Sequence, residues 1–519
     1  MESILNLSVG GTYLLLLVFG LFMLGATYFF ALWKKFTSIE GFLVGERKVN
    51  WVLGGSSIAA SWIWAPALFI STLFAYQNGL VGLFWFVIPN ILALAGFAIL
   101  APTIRKKMPY GYTLPQWIRH KLKDERVHKI YLFPFFFYQL MAVTVQIYAG
   151  GNVLALMLGI PVYQAIAVLT LAILVAIPLI YSLLSGLKAS VITDFIQLII
   201  IIIALIIIIP WAITIAGGSA VLGGLGGIAG NTLNVFDPKL AFSLGIVTAI
   251  GLISGAISDQ QYWQRAFAIK KGHLKKAFIF GALAFGIVPI ALGILGFIGA
   301  SADISVVIPA GVDASMVGVL VVGKLLPIWA TTLFVIMLIC ALSSTIDSGL
   351  NAAASLYSTD VMRFTKKDKE IMLKFEKGEI LSDKESLYKQ ILDARRMSGA
   401  RTAMVVLTIL GFLVAMMVIY IPKFELFHLW WVFNTIAACV VVPTVLSLYW
   451  ERLNPKGVFW GVLVAFFFGL PVFVYANFIQ NNVMTVLSAL GIIAVTVIFC
   501  VAMPQKNITQ SSETFSSKS

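Results

Sequence analysis

Thirteen apolar stretches, each long enough to cross about 30 Å of hydrocarbon, take up most of the 519 residues. They run roughly over 10–33, 52–75, 82–102, 128–157, 161–184, 190–216, 240–268, 276–300, 328–361, 402–422, 425–450, 457–479 and 483–503. Lipid offers the backbone no hydrogen-bond partner, so stretches of this length satisfy their own N–H and C=O groups as α-helices. The expected fold class is an all-α integral membrane protein with about 13 transmembrane helices. Composition excludes the alternative. With 60% hydrophobic and 11% charged residues, against roughly 25% charged in soluble domains, the chain cannot cover a core with polar surface.

The net charge of +14 follows the same topology. Placing the N terminus outside puts 33 of the 36 Lys and Arg residues on the inner side and leaves Lys239, Lys324 and Lys423 outside. This asymmetry predicts an N-out, C-in chain in the plasma or inner membrane. The basic charge is therefore a topology signal rather than a nucleic-acid surface, and anionic lipid headgroups are its expected contact. No obligate protein partner is implied. The first stretch has no basic region before it and is followed by Lys34 and Lys35, so it is expected to be retained rather than cleaved.

Between the stretches the composition changes. Residues 1–50 comprise the first helix and an inner loop, and 217–239 an outer loop opening with the glycine-rich GGSAVLGGLGGIAGN, which is expected to be flexible. Residues 362–400 carry mixed charge and helix formers, which predicts a cytoplasmic helical hairpin. Residues 451–503 hold two further helices, and the Ser/Thr-rich 504–519 is expected to be a disordered cytoplasmic tail whose Asn507-Ile508-Thr509 sequon is not glycosylated.

Polar groups at membrane depth are expensive and point to function. In the ninth stretch Ala341, Ser344, Thr345 and Ser348 share one helical face, with Asp347 and Asn351 on its shoulder. Such hydroxyls are hard oxygen ligands for an alkali cation, or else hydrogen bonds that glue helices together. In the second stretch Pro66 removes an N–H and clashes with the carbonyl of Trp62, producing either a helix break with free carbonyls or a simple kink. Asp194, near the inner end of the sixth, is either a snorkelling partner of Lys188 or, beside Asp347, half of a carboxylate pair that attracts a cation or shares a proton. The run SDQQYWQR over 258–265 is too polar for a lipid-facing helix. It lines a wet cavity or forms an inner aromatic belt, with Arg265 expected at the inner interface.

Hydrolytic and redox signatures are missing: the sequence has no HExxH, GxSxG, Walker or CxxC motif, and Cys340, Cys439 and Cys500 sit singly in apolar runs. His120, His128, His273 and His428 lie near stretch ends without metal-ligand spacing. An enzyme is not expected.

Several runs, in order, resemble the sodium/solute symporter family. They are FLVGER (42–47), YTLPQ (112–116), GLKA (186–189) leading to Thr193 and Asp194, Gln264-Arg265, Ser344-Thr345, and LYWER (448–452) before Asn454 and Gly457. The resemblance implies a leucine-transporter-like core of two inverted five-helix repeats, residues 51–216 and 240–450. It also implies a Na+ site formed by the carbonyls of Ala59, Trp62 and Ala341 and the hydroxyls of Ser344 and Thr345. A second cation or proton site is implied at Asp194 and Ser348, with Asp347 a departure from the family pattern. The runs SWIWA (61–65) and DQQYWQ (259–264) look most like the urea-transporting branch, whereas Pro66 departs from it.

The expected function is sodium-coupled import of a small polar solute, urea or urea-like, bound near Trp64, Gln146, Asp259, Tyr262 and Trp263. The alternatives are an amino acid or sugar symporter, a solute channel, and a membrane sensor. A sensor would be expected to carry a long output domain, and only sixteen residues follow Met503.

Overall fold

A computed structural model describes residues 8–29, 38–161, 163–304, 306–309, 311–376, 379–421 and 425–505. The expected tail, apart from residues 504 and 505, lies outside them, as do Lys34, Lys35 and Lys423. The described chain is helical, and its one β-type pairing is an isolated bridge between Val49 and Ile269. The main helices are α1 (Val9–Thr27), α2 (Trp51–Trp62), α3 (Pro66–Lys107), α4 (Leu114–Leu122), α5 (Glu125–Leu158), α6 (Ala165–Ser185), α7 (Leu187–Ala216) and α8 (Pro238–Ser258). They continue with α9 (Gln260–Ala268), α10 (Leu274–Ala300), α11 (Ile328–Leu356), α12 (Lys366–Glu376), α13 (Asp383–Ile419), α14 (Leu426–Tyr449), α15 (Pro455–Phe478) and α16 (Asn482–Ala502).

Among the described residues twelve helices are long and apolar enough to cross a membrane, against the thirteen stretches expected. The difference lies at the second stretch. It is split at Ile63 and Trp64, so α2 is only 12 residues long. Its C-terminal half is continuous with the third stretch in α3, bent at Gly79 (φ 66°, ψ −147°).

Side chains start the helices where the sequence offers an oxygen. Asn50 caps α2 through the N–H of Leu53 (2.9 Å), Thr113 caps α4 through Gln116 (3.1 Å), and Asp124 caps α5 through Arg126 (2.8 Å). Gly186 (φ 59°) makes the turn from α6 to α7, where a Cβ would stand 2.3 Å from the carbonyl oxygen of Phe42. That contact gives the GLKA run its physical reason.

Two groups of helices form the core. α10 packs on α2 and α3, and α8 on α3; α5, α6, α11 and α13 pack on one another, and α7 and α14 bridge the two groups. Each half contains one broken helix, α2/α3 in the first and α8/α9 in the second, as an inverted five-plus-five repeat requires. The second break was not expected. At Asp259 the backbone turns extended (φ −87°, ψ 116°), and the Asp259 carboxylate restarts the chain as the cap of α9 by accepting from the N–H of Gln261 (2.9 Å).

Two loop expectations change. The second arm of the 362–400 hairpin runs without interruption into the tenth stretch as the 37-residue α13. Asp368 on α12 ties the arms together, accepting from Arg395 (2.8 Å) and Tyr388 (2.9 Å) on α13 and from the N–H of Thr365 (2.8 Å). Burial opposes its ionisation, but these hydrogen bonds outweigh it and hold the carboxyl down at about 2. The glycine-rich segment over 217–231 is not loose. It contains a short helix, Gly218–Gly223, and docks by backbone bonds onto the bend in α3: Leu80 donates to Leu225 (2.8 Å) and Ile228 to Tyr76 (2.8 Å).

Candidate functional site

The break in α2 exposes main-chain groups at the centre of the helix bundle. Pro66 cannot donate to the carbonyl of Trp62 four residues earlier, which frees that oxygen. Ile63 donates to the carbonyls of Ala59 (3.1 Å) and Ala60 (3.2 Å), and the N–H of Ala65 is satisfied by Gln146 Oε1 from α5 (2.8 Å). Every residue from Gly54 to Tyr76 is buried.

α11 runs past this break and presents the hydroxyls picked out by their helical spacing. Thr345 Oγ1 lies 3.4 Å from the carbonyl oxygen of Ile63 and 3.3 Å from that of Ala341. Ser344 Oγ donates to Asp194 Oδ1 at 2.5 Å. A carboxylate accepting the Ser344 proton turns that oxygen's lone pairs outward and makes it a better ligand. Freed carbonyls with two hydroxyls, one of them backed by a carboxylate, form a hard-oxygen donor set that fits an alkali cation. The carbonyls of Ala59 and Ala341 are less available than that of Trp62, because the first already accepts from Ile63 and the second from Thr345.

Asp194, Asp347 and Ser348 are brought together, with one addition. Ser190 Oγ links the two carboxylates, at 2.7 Å from Asp347 Oδ1 and 3.4 Å from Asp194 Oδ2, and Thr193 Oγ1 reaches Asp347 Oδ2 (3.2 Å). The addition is Arg265, which does not anchor at the interface. It is 1% exposed and pairs with Asp194 Oδ2 at 3.1 Å. The rest of 258–265 is buried as well, so it forms no aromatic belt.

The expected solute residues divide. Trp64 stacks on Phe433 of α14 (centroids 5.4 Å apart, 26° between planes), and Tyr262 meets Trp62 edge to face at 5.2 Å. Asp259 accepts from Gln139 through Oδ1 (3.0 Å) while its Oδ2 is buried without a partner, as are Gln146 Nε2, Gln261 Oε1 and the Tyr262 hydroxyl. Trp263 turns away, donating to the carbonyl of Ile257 (2.7 Å) and packing on Phe97 of α3 (4.9 Å).

Beside the break is a cavity of about 20 Å³, room for roughly one water. Trp62, Trp64, Tyr138, Phe433, Asn90 and Asn434 are among its walls. Trp62 Nε1 donates to Asn90 Oδ1 (2.7 Å). The Tyr138 hydroxyl lies 3.4 Å from Asn434 Oδ1. Sequence reasoning missed Asn90, Tyr138, Phe433 and Asn434. Asn90 and Asn434 do carry a signal, since each is a side-chain amide within a strongly apolar helix.

A discontinuous helix in each half, with hydroxyls facing the first break, describes a transporter core. The model of the sodium:solute symporter family matches residues 42–377 and 384–465. The chain belongs to that family. It is a multi-pass membrane protein of a family of transporters, not of enzymes. It is 24% identical over 355 residues to a urea active transporter of Saccharomyces cerevisiae, covering 64% of this chain and 47% of that one. To the urea-proton symporter DUR3 of Oryza sativa it is 24% identical over 506 residues, covering 88% and 65%. To the spermidine transporter DUR31 of Candida albicans it is 27% identical over 354 residues, covering 66% and 63%. Each match thus spans less than two thirds of the relative's length. Among solved structures, a substrate-bound, outward-open Na+-coupled sialic acid symporter superposes with a TM-score of 0.71 at 18% identity, over 96% of this chain and 99% of that one. That likeness establishes the shared fold.

Proposed function

We propose that this family member is a sodium-coupled symporter that imports a small, flat, polar solute, urea or a urea-like amide, by alternating access. The observation that carries the reading is the meeting of Thr345 with the carbonyl of Ile63 at the α2 break, beside a Ser344 hydroxyl held on Asp194. Na+ bound by the carbonyls of Ala59, Trp62 and Ala341 and the hydroxyls of Ser344 and Thr345 ties α2 to α11 and so holds the two helix groups in the outward-open arrangement. The solute then enters between Trp64 and Tyr262. The unpartnered Gln146 Nε2 suits a carbonyl oxygen, and the unpartnered oxygens of Asp259 and Gln261 suit amide N–H groups. Flat aromatic walls suit a planar solute, and the urea-transporting relatives favour urea. A cavity of about 20 Å³ holds no such solute, so entry requires one helix group to rock away from the other, each group being built from both repeats, 51–216 and 240–450. The reading keeps the basic face inside, with the N terminus outside and the C terminus inside.

One Na+ moving through about 100 mV supplies roughly 2.3 kcal/mol, and a tenfold gradient adds about 1.4 kcal/mol. Together they concentrate a neutral solute several hundredfold. Proteoliposomes with an inward Na+ gradient should accumulate labelled urea in a saturable way, and replacing Na+ by K+ should abolish accumulation. Uptake that ignores this replacement and does not saturate would identify a channel. Thr345→Ala should raise the Na+ concentration for half-maximal uptake by about tenfold, the cost of one charge-assisted contact. An unchanged requirement removes Thr345 from the site. A second reading, proton coupling, is favoured by the Ser190-linked carboxylates and by the likeness to the urea-proton symporter of rice. Uptake driven by a pH gradient alone would select it.

A further inference from the structure

The place expected to hold a second cation already contains one. Arg265 extends from α9 into the space between α2, α7 and α11, and the chain restart at Asp259 is what turns that helix inward. Its Nη2 donates to Asp194 Oδ2 (3.1 Å) and Ser348 Oγ (2.8 Å), its Nε to Ser57 Oγ (2.9 Å) and its Nη1 to the carbonyl of Gln261 (3.1 Å). Ser57 Oγ in turn donates to Asp194 Oδ2 (2.5 Å). The guanidinium thereby takes a carboxylate and two hydroxyls drawn from three other helices, the oxygens that a metal cation there would need. An arginine in a protein does not lose its proton, so this charge is fixed and cannot be exchanged with either solution.

We propose that Arg265 is a tethered cation that fills the second ion position, so that the carrier binds a single Na+. This rests on the reading that Na+ binds at Ser344 and Thr345. Charge balance supports it. Asp194 already has the guanidinium as its charge partner, so a Na+ placed on the same carboxylate would lie against a fixed positive charge. Ser348, which the resemblance places among the ion ligands, accepts from Arg265 in this arrangement.

The test is a count of bound radioactive sodium on the purified full-length chain in detergent. Wild type should saturate at one Na+ per chain with a Hill coefficient of about one, and Arg265→Lys, which keeps a charge, should do the same. Arg265→Ala vacates the position and should bind two. A count of two in wild type, or of one in folded Arg265→Ala, overturns the inference. No binding to wild type overturns the sodium reading itself, which is a different outcome from a count of two. Should Arg265→Ala not fold, Ser348→Ala decides. It should shift sodium affinity by less than about threefold, whereas a loss of tenfold or more, about 1.4 kcal/mol, would make Ser348 an ion ligand and sink the proposal.

Discussion

Asp194→Asn should lower stability by about 3–5 kcal/mol, because it leaves the Arg265 guanidinium buried without its charge partner. Arg265 and Asp194 are 1% and 0% exposed, so solvent cannot take over the lost role. The carboxylate also accepts from Ser57, Ser190 and Ser344, and an amide of the same shape offers one acceptor oxygen where the carboxylate offers two. The unfolding midpoint in detergent is expected to fall by about 5 °C or more. Sodium affinity should fall with it, since Ser344 loses the acceptor that orients it. The double variant Asp194→Asn/Arg265→Gln separates charge from shape. Removing both charges of a buried pair is often close to neutral, so the double variant should recover most of the lost stability. A double variant less stable than Asp194→Asn would show that the pair does not dominate this part of the core.

Gly79→Ala should have a comparable effect for a reason unrelated to charge. The backbone at Gly79 (φ 66°, ψ −147°) lies in a region that side chains other than glycine's rarely enter, at a cost of about 1–3 kcal/mol. A Cβ there would stand 2.0 Å from the carbonyl oxygen of Leu225 and 2.7 Å from the N–H nitrogen of Gly227. Backbone cannot swing aside as a side chain does, so relieving the contact means lifting the 224–229 segment off α3, adding about 1–3 kcal/mol of overpacking. The bonds at stake are those from Leu80 to Leu225, Ile228 to Tyr76 and Ala229 to Gln77. Limited proteolysis should find the outer loop newly accessible in Gly79→Ala, and the unfolding midpoint should drop. Gly218→Ala, where nothing lies within 4 Å and φ is ordinary, should leave both unchanged. Equal behaviour of the two variants would refute the docking role of Gly79.

What could be read in advance was local. The crossing helices follow from apolar length, because lipid leaves the backbone no other partner. The hydroxyl face of α11 follows from the 3.6-residue period, and the α2 break from the missing N–H of Pro66, since both act within about one turn of chain. Trp64, Tyr262 and Asp259 were legible as polar or amphipathic groups too concentrated for lipid.

What failed in the reading depended on partners far away in the chain. Arg265 at the end of an apolar stretch looks like an interface anchor until Asp194, 71 residues away, and Ser348, 83 residues away, fold around it. No proline announces the Asp259 break; a side chain that caps its own restarted helix makes it possible. Trp263 sits in the same run as Tyr262, yet only packing against Phe97 decides that it faces away from the break. The glycine-rich outer segment reads as loose because its order comes from main-chain bonds to α3, which leave no mark in residue type.

The amino-acid sequence by itself thus determined the solvent, the number of long apolar stretches, the expected orientation and the residues able to offer oxygen to an ion, because those properties are set by composition and short-range geometry. Tertiary structure alone decided which of those oxygens face one another, and that a guanidinium reaches Asp194 and Ser348 among them. A buried charge is tolerable only beside its partner, and that pairing exists only once distant helices have packed.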